Sequence, residues 1–211
     1  MITELPPVDI PGHKPSTEAG PDHPMRHVTR RAAGLEPGGW DAATRATVSE
    51  LFDSLAGEWH TRTSEERIAV VTDVLERGGP HAGTAVEIGS GIGTYSALLD
   101  EYFDFVVAVD LAWEMLARAP ERPAARVLAD AFELPVPDGS MDTIVLVNAF
   151  LFPQEVDRVL APDGALVWVN SSGEQTPIHL SAEDVCTALP GSWSGVSSRA
   201  GIGTWCVLRR D

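Results

Sequence analysis

Glu87, Gly89, Gly91 and Gly93 alternate through Val86-Glu87-Ile88-Gly89-Ser90-Gly91-Ile92-Gly93-Thr94, where a short apolar run gives way to a helical pattern. Glycine adopts positive φ without strain and carries no Cβ, so a ligand can lie directly against such a turn. Three alternating glycines exceed what a plain strand-to-helix turn requires. Neither phosphate-binding form of the loop is supported. A dinucleotide loop reads G-x-G-x-x-G/A, and counting from Gly89 the sixth position is Thr94; a P-loop ends in Gly-Lys-Ser/Thr, and Lys14 is the only lysine of the chain. Asp110, Asp130 and Asn148 end or closely follow three further apolar runs. At the carboxyl ends of parallel strands, where ligands of open α/β sheets bind, an ionised Asp offers two acceptor oxygens. His60 and His179 are candidate catalytic bases, because imidazole titrates near neutral pH. Each residue also has an ordinary structural use. Glu87 on an apolar strand needs a local partner, Asp110 is placed to cap the next helix, Asp130 to form an Asx turn, Asn148 to satisfy a loop, and either histidine to sit solvated.

The elements that must position these residues follow from periodicity. Asp41 caps an expected helix over about 41–57, with Val48, Leu51, Phe52, Leu55 and Trp59 on one face. Thr63 with Glu66 reads as a capping box for a second helix running to about 77, stopped by Gly78-Gly79. From residue 84 onward short apolar runs alternate with helical segments. The runs at 85–88, 105–109, 125–128, 144–147 and 166–169 predict five parallel strands buried on both faces. Helices are expected near 94–101, 111–119, 154–160 and 181–189, and the segments 194–198 and 204–208 read as a closing hairpin. The result is an α/β, Rossmann-like doubly wound sheet of seven mostly parallel strands with an antiparallel C-terminal hairpin. Six prolines in the first 24 residues, Pro15 and Pro21 among them, make the N-terminus an arm, either disordered or laid across the domain. The expected organisation is a proline-rich, flexible arm over 1–38, N-terminal helices over 39–79 that cap the substrate, and a ligand-binding domain over 80–211.

Composition narrows the function classes. A chain of 211 residues with 44% apolar content suits one domain with a full core. A formal charge of -16, from 15 basic and 31 acidic residues, repels a phosphate backbone, so nucleic acid is not an expected partner. No 18-residue apolar stretch or export signal is visible, so no membrane association is expected. Cys186 and Cys206 are too few for a disulfide framework and lack zinc-ligand spacing; a cytoplasmic compartment and no metal are the reading.

The glycine loop resembles the E-x-G-x-G-x-G motif of class I S-adenosylmethionine-dependent methyltransferases, matched at Glu87, Gly89, Gly91 and Gly93. The likeness continues through Val109-Asp110-Leu111 with Met115-Leu116, where Ala112 replaces the family's serine. It runs on through 129–142, from Ala129-Asp130-Ala131-Phe132, and through Glu155-Val156-Asp157-Arg158-Val159-Leu160-Ala161-Pro162-Asp163-Gly164, where Asp163 replaces a glycine. Four motifs in order span about residues 80–170, and the chain is identified as similar to the small, type 11-like members.

The resemblance implies S-adenosylmethionine as cofactor and S-adenosylhomocysteine as product. It implies that Glu87 orders the loop and holds the ammonium region, and that the backbone at Gly89, Ser90, Gly91 and Gly93 approaches the methionine and ribose. Asp110 would take the ribose hydroxyls, with Leu111 and Met115 beside it. Asp130, Ala131 and Phe132 would surround the adenine, and Asn148 would face the cofactor and acceptor. In-line methyl transfer needs alignment first, so a catalytic residue is not obligatory; His60 and His179 are the candidates if one is used. Trp59, Arg62 and Asn170 lie on segments that would roof the site and meet the substrate, although Trp59 also fits the core stripe. His23, His27, Arg26, Arg30 and Arg31 either close over an anionic substrate or stay solvated. The short link after the fifth strand leaves no room for an inserted substrate domain, which suits a small-molecule acceptor methylated at oxygen or nitrogen, in a monomer or homodimer. Two alternatives remain: a non-methylating enzyme using the same cofactor, and a catalytically silent binding or regulatory subunit.

Overall fold

The computed structural model describes residues 1–14, 20, 22–121 and 124–211; Pro15 and Pro21 of the expected arm lie outside them. Its strands are β1 (Ile2–Glu4), β2 (Thr84–Ile88), β3 (Phe105–Asp110), β4 (Ala125–Leu128), β5 (Met141–Val147), β6 (Leu160–Asn170), β7 (Trp193–Ala200) and β8 (Gly203–Arg210). Its helices are α1 (Met25–Ala32), α2 (Ala42–Leu55), α3 (Glu65–Arg77), α4 (Ser96–Tyr102), α5 (Trp113–Leu116), α6 (Pro153–Val159) and α7 (Ala182–Ala188), with 3-10 turns over Ala56–Arg62 and Gly173–Gln175.

One sheet runs in the order β1-β7-β8-β6-β5-β2-β3-β4. Strands β4, β3, β2, β5 and β6 are mutually parallel, and β8 is antiparallel to both β6 and β7. The chain leaves β2 toward β3 on one side and returns to β5 on the other, so the strand order reverses between β2 and β5, at the point where open α/β sheets bind ligands. Side chains alternate faces along each strand. Val86, Ile88, Ile144 and Leu146 pack toward α6 and α7, while Ala85, Val145 and Val147 pack toward α3 and α4. Both faces of the central strands are therefore dry, which explains their unbroken apolar runs.

The seven expected strands are all present, and an eighth joins them from the arm. Ile2, Thr3 and Glu4 pair in parallel with Gly195, Val196 and Ser197 of β7. Composition missed this because a three-residue edge strand is held by backbone bonds, and β7 would otherwise present an unpaired edge. Arg77 secures it by donating Nη2 to the Pro6 carbonyl at 2.7 Å. The arm then folds back as α1, whose Arg30 reaches Asp184 of α7 at 3.2 Å. Arg26 donates to the Glu174 carbonyl. The described part of the arm is thus laid across the domain.

Three boundaries differ from expectation. Ser64, not Thr63, caps α3, its hydroxyl accepting from the Arg67 N–H at 3.3 Å. Both residues of the Thr63-Ser64 pair are extended, but Thr63 closes the preceding 3-10 segment, its N–H bonding to the His60 carbonyl, and Ser64 is left to cap α3. Helix α5 is shorter than 111–119 because Asp110 ties down its start and Ala117 already bonds as a cap. The first helix gives way to a 3-10 segment at Ala56 rather than ending near 57, and this carries Trp59 over the sheet. The caps at Asp41 and Ser181 are as expected, the latter a full capping box with Asp184.

Candidate functional site

The glycine loop hangs from the end of β3. The N–H groups of Gly89 and Ser90 both donate to the Val109 carbonyl, at 2.8 and 3.0 Å. Gly89, at φ 70°, has no room for a side chain, since a Cβ there would stand 2.8 Å from that of Ala149. Asp110 locks the loop from below. Its Oδ2 accepts from Gly91 N–H at 2.7 Å and its Oδ1 from Ala112 N–H at 2.8 Å, so one carboxylate joins the loop to the start of α5. Burial raises the Asp110 carboxyl above its ordinary range, against the lowering pull of these bonds. Asp53 of α2 accepts from Glu114 N–H at 2.8 Å and adds a second acid beside it.

Glu87 lies under the loop, 2% exposed, and does not line the cavity above. The Ser96 hydroxyl donates to its Oε2 at 2.5 Å. Burial lifts its carboxyl to about 7, opposed by Ser96 and reinforced by nearby Asp110.

Above the loop, at the carboxyl ends of β2, β3 and β5, is a cavity of about 450 Å³, within the range of small-molecule sites. Its floor is Gly89, Ser90 and Gly91, with Asp110, Leu111 and Met115 on one side and Asp130, Ala131 and Asn148 further round. Its roof comes from the N-terminal half of the chain. Trp59 lines it with Phe52 edge-on at 5.6 Å, and the Trp59 indole nitrogen faces Gly91. Arg62 also lines it, its guanidinium over the Trp59 ring at 5.4 Å. Ser90 brings a buried hydroxyl with no hydrogen-bond partner among the described residues.

Asp130 is already engaged. Phe132 N–H donates to Oδ1 at 2.9 Å in an Asx turn, Trp40 Nε1 donates to both oxygens at 3.2 and 3.0 Å, and Arg45 reaches Oδ2 at 3.3 Å. The Trp40 ring packs on Phe150 and Phe152, at 5.4 and 5.0 Å. Asn148 is tied too. At φ 53° it is the one non-glycine residue with positive φ among the described residues. Its Nδ2 donates to Ser171 Oγ and its Oδ1 accepts from Ser171 N–H, both at 2.8 Å, fastening the end of β5 to that of β6.

Several expected site residues lie elsewhere. Gly93 closes the turn onto Ser90 outside the cavity, its N–H donating to the Ser90 carbonyl at 2.9 Å. Phe132 is 54% exposed, its ring edge-on to Phe152 rather than inside. Asn170 turns inward, donating to the Leu180 carbonyl at 2.8 Å; Ser171 and Ser172, just past the end of β6, line the wall instead. His60 is exposed on the 3-10 segment and does not line the cavity. His179 is half-buried outside it, and burial, with Arg26 nearby, lowers its imidazole to about 4. Neither expected base therefore faces the space where a methyl acceptor would sit. Of the arm, His23 and Met25 do line the cavity. Trp40, Arg45, Arg67 and Tyr95 are wall or latch residues that sequence reasoning missed; only Tyr95, directly after the glycine loop, carried a local signal.

This arrangement has known counterparts. Residues 86–168 match the family described as methyltransferase domain. A malonyl-[acyl-carrier protein] O-methyltransferase of Serratia marcescens is 32% identical over 138 residues, 61% of this chain and 54% of that protein. The chain thus spans about half the length of this curated relative. An S-adenosylmethionine-dependent methyltransferase from Aquifex aeolicus superposes with a TM-score of 0.60 at 20% identity, over 72% of this chain and 97% of the other. A chain assigned to the type 11 methyltransferases from Sulfolobus solfataricus superposes at 0.51 with 21% identity, over 67% and 89%. The fold is the Rossmann-like one of these methyltransferases, and residues 86–168 carry the likeness to the methyltransferase-domain family. No helix among the described residues is long and apolar enough to cross a membrane.

Proposed function

We propose that this protein transfers a methyl group from S-adenosylmethionine to oxygen or nitrogen of a small molecule. The observation that carries this is the glycine loop, braced by Asp110, forming the floor of an aromatic-roofed cavity where the strand order reverses. The residues present fit the cofactor. Asp110 uses one bond per oxygen and retains a lone-pair site on each for the ribose hydroxyls. The unpartnered Ser90 hydroxyl offers a further polar contact. Asp130 takes the adenine amino group once Trp40 or Arg45 yields a position. Glu87 acts from beneath the loop, holding the Ser96 hydroxyl and so the turn that carries the cofactor's tail. Trp59, Phe52 and Tyr95 line the cavity, and an aromatic ring attracts a cationic ligand through its face.

When bound, S-adenosylmethionine supplies an electrophilic methyl on a sulfonium. The protein's part is alignment and exclusion of water, and alignment alone is worth roughly 7–11 kcal/mol of a bimolecular barrier. No histidine of the wall is set up to take a proton. The Met25 N–H donates to His23 Nδ1 at 3.2 Å, which assigns the proton of the neutral ring to Nε2 and makes that face a donor. The relative's name specifies an oxygen acceptor, which supports transfer to oxygen here.

Calorimetric titration with S-adenosylmethionine and S-adenosylhomocysteine, followed by mass spectrometry of metabolite extracts incubated with the loaded protein, tests this reading. Micromolar binding and a one-methyl mass gain are expected. Binding with no transfer to any extract component would favour a silent subunit.

A further inference from the structure

Two arginines of the cavity wall have no acid partner among the described residues. Asp130 is matched by Arg45, and Asp110 is satisfied by two backbone N–H groups. Arg62 and Arg67 also line the cavity, and neither makes an ion pair among the described residues. In a chain with 31 acids and 15 bases, two guanidiniums left without an acid in one partly dry space are conspicuous. Like charges there repel, and an entering anion relieves both at once.

The two are also held for binding. Arg67 Nη1 donates to the backbone carbonyl of Arg62 at 2.6 Å, which fixes its direction and brings the two residues together. The Arg62 guanidinium rests over the Trp59 ring, and none of its N–H groups is spent on a partner among the described residues. The hydroxyls of Thr63 and Thr94, 3.3 Å apart, stand in the same wall. A guanidinium fork matches a carboxylate through two parallel bonds. A doubly charged phosphate fits less well, because Asp110 and Asp130 share the cavity.

We propose that Arg62 and Arg67 form a carboxylate-binding site in the cavity wall. The inference deepens the methyltransferase reading and rests on it for the identity of the ligand. Two carboxylates meet the chemistry: one on the acceptor, whose apolar body would rest on Leu51, Phe52 and Leu55, and the methionine tail of the cofactor. A carboxylate acceptor is ionised at neutral pH and needs no base, in keeping with the wall just described.

The test uses the full chain, with Arg62→Gln and Arg67→Gln, in calorimetric titrations with three probes. S-adenosylhomocysteine carries the amino-acid tail, methylthioadenosine lacks it, and octanoate with its control octanol reports an acceptor carboxylate in the protein loaded with S-adenosylhomocysteine. A loss of about tenfold or more in S-adenosylhomocysteine affinity, with methylthioadenosine unchanged, supports the site and assigns it to the cofactor tail. Unchanged nucleoside affinities with a similar loss of octanoate over octanol support it and assign it to the acceptor. Unchanged binding of all probes, equal losses for both nucleosides, or displacement of octanoate by equimolar inorganic phosphate overturns it. If wild type binds neither nucleoside, the methyltransferase reading fails on its own; octanoate binding to the unloaded protein, lost in the variants, still decides the carboxylate site.

Discussion

The indole Nε1 of Trp40 donates to both carboxylate oxygens of Asp130, at 3.2 and 3.0 Å, across 90 residues of chain. Phe132 N–H adds a bond to Oδ1 and the Arg45 guanidinium an ion pair at Oδ2, so three donors crowd this carboxylate. In the proposed binding mode an adenine amino group competes with donors that the protein itself supplies.

Trp40→Phe keeps the ring against Phe150 and Phe152 and removes the indole donor. The variant is expected to bind S-adenosylhomocysteine severalfold more tightly and to be less stable by about 1 kcal/mol, the net worth of one such bond. Calorimetry and urea unfolding measure the two. Weaker nucleoside binding would show that the indole assists the ligand instead of competing with it.

Asp110 both braces the loop and is assigned the ribose. Asp110→Asn keeps an acceptor for one of the two N–H groups and sets an amide NH2 against the other, so it should cost about 1–3 kcal/mol of stability and lose about tenfold or more in nucleoside affinity. Asp110→Ala strips Gly91 and Ala112 of their acceptor and should in addition unfold more easily, by about 1–3 kcal/mol for each group left unsatisfied. Full affinity in the Asn variant would sink the ribose assignment.

Glu87 has a carboxyl raised by burial from its ordinary 4.5 to about 7. The fold favours the protonated form, so its contribution is complete below pH 4.5 and is lost as pH rises through 7. The loss is about 3 kcal/mol at 1.36 kcal/mol per unit. Glu87→Gln cannot ionise and should be the more stable protein at pH 8, with the two proteins converging at pH 4.5. His179 acts in the opposite direction, its lowered imidazole costing stability as pH falls from 6.5 toward 4. Both proteins share it, so the difference between their thermal-stability curves isolates Glu87; parallel curves would refute the raised carboxyl.

Asn148 combines a left-handed backbone with two bonds to Ser171. Asn148→Gly loses the bonds alone, at about 1–3 kcal/mol. Asn148→Ala adds about 1–2 kcal/mol of backbone strain. The expected order in denaturant is wild type, Gly, Ala; equal stability of Gly and Ala would mean the strain is relieved elsewhere.

Much of this molecule is legible in one dimension. The strands β2 to β6 are short runs of β-branched and apolar residues because both faces of each are buried, and the caps at Asp41 and Ser181 are local chemistry. The glycine loop and Asp110 are legible for the same reason: their spacing is set by a turn of a few residues. That the arm lies across the domain was one of its two readings, but strand β1 was not legible, because it is stabilised by backbone pairing with β7, which leaves no mark on composition. His60 and His179 were misplaced because helix phase and loop direction decide which way a side chain points, and residue type does not report either.

By itself, the sequence determined the doubly wound sheet, the loop over 86–94 and the acid at the end of β3, since each depends on contacts within about one element. Only the tertiary structure decided what roofs the cavity. Trp40 reaches Asp130, Arg62 and Arg67 come to share a wall with Ser90, and Asn148 fastens to Ser171, through contacts between segments 20 to 90 residues apart. Such contacts depend on how the N-terminal helices and the strand ends pack against one another, and no periodicity or motif encodes that packing.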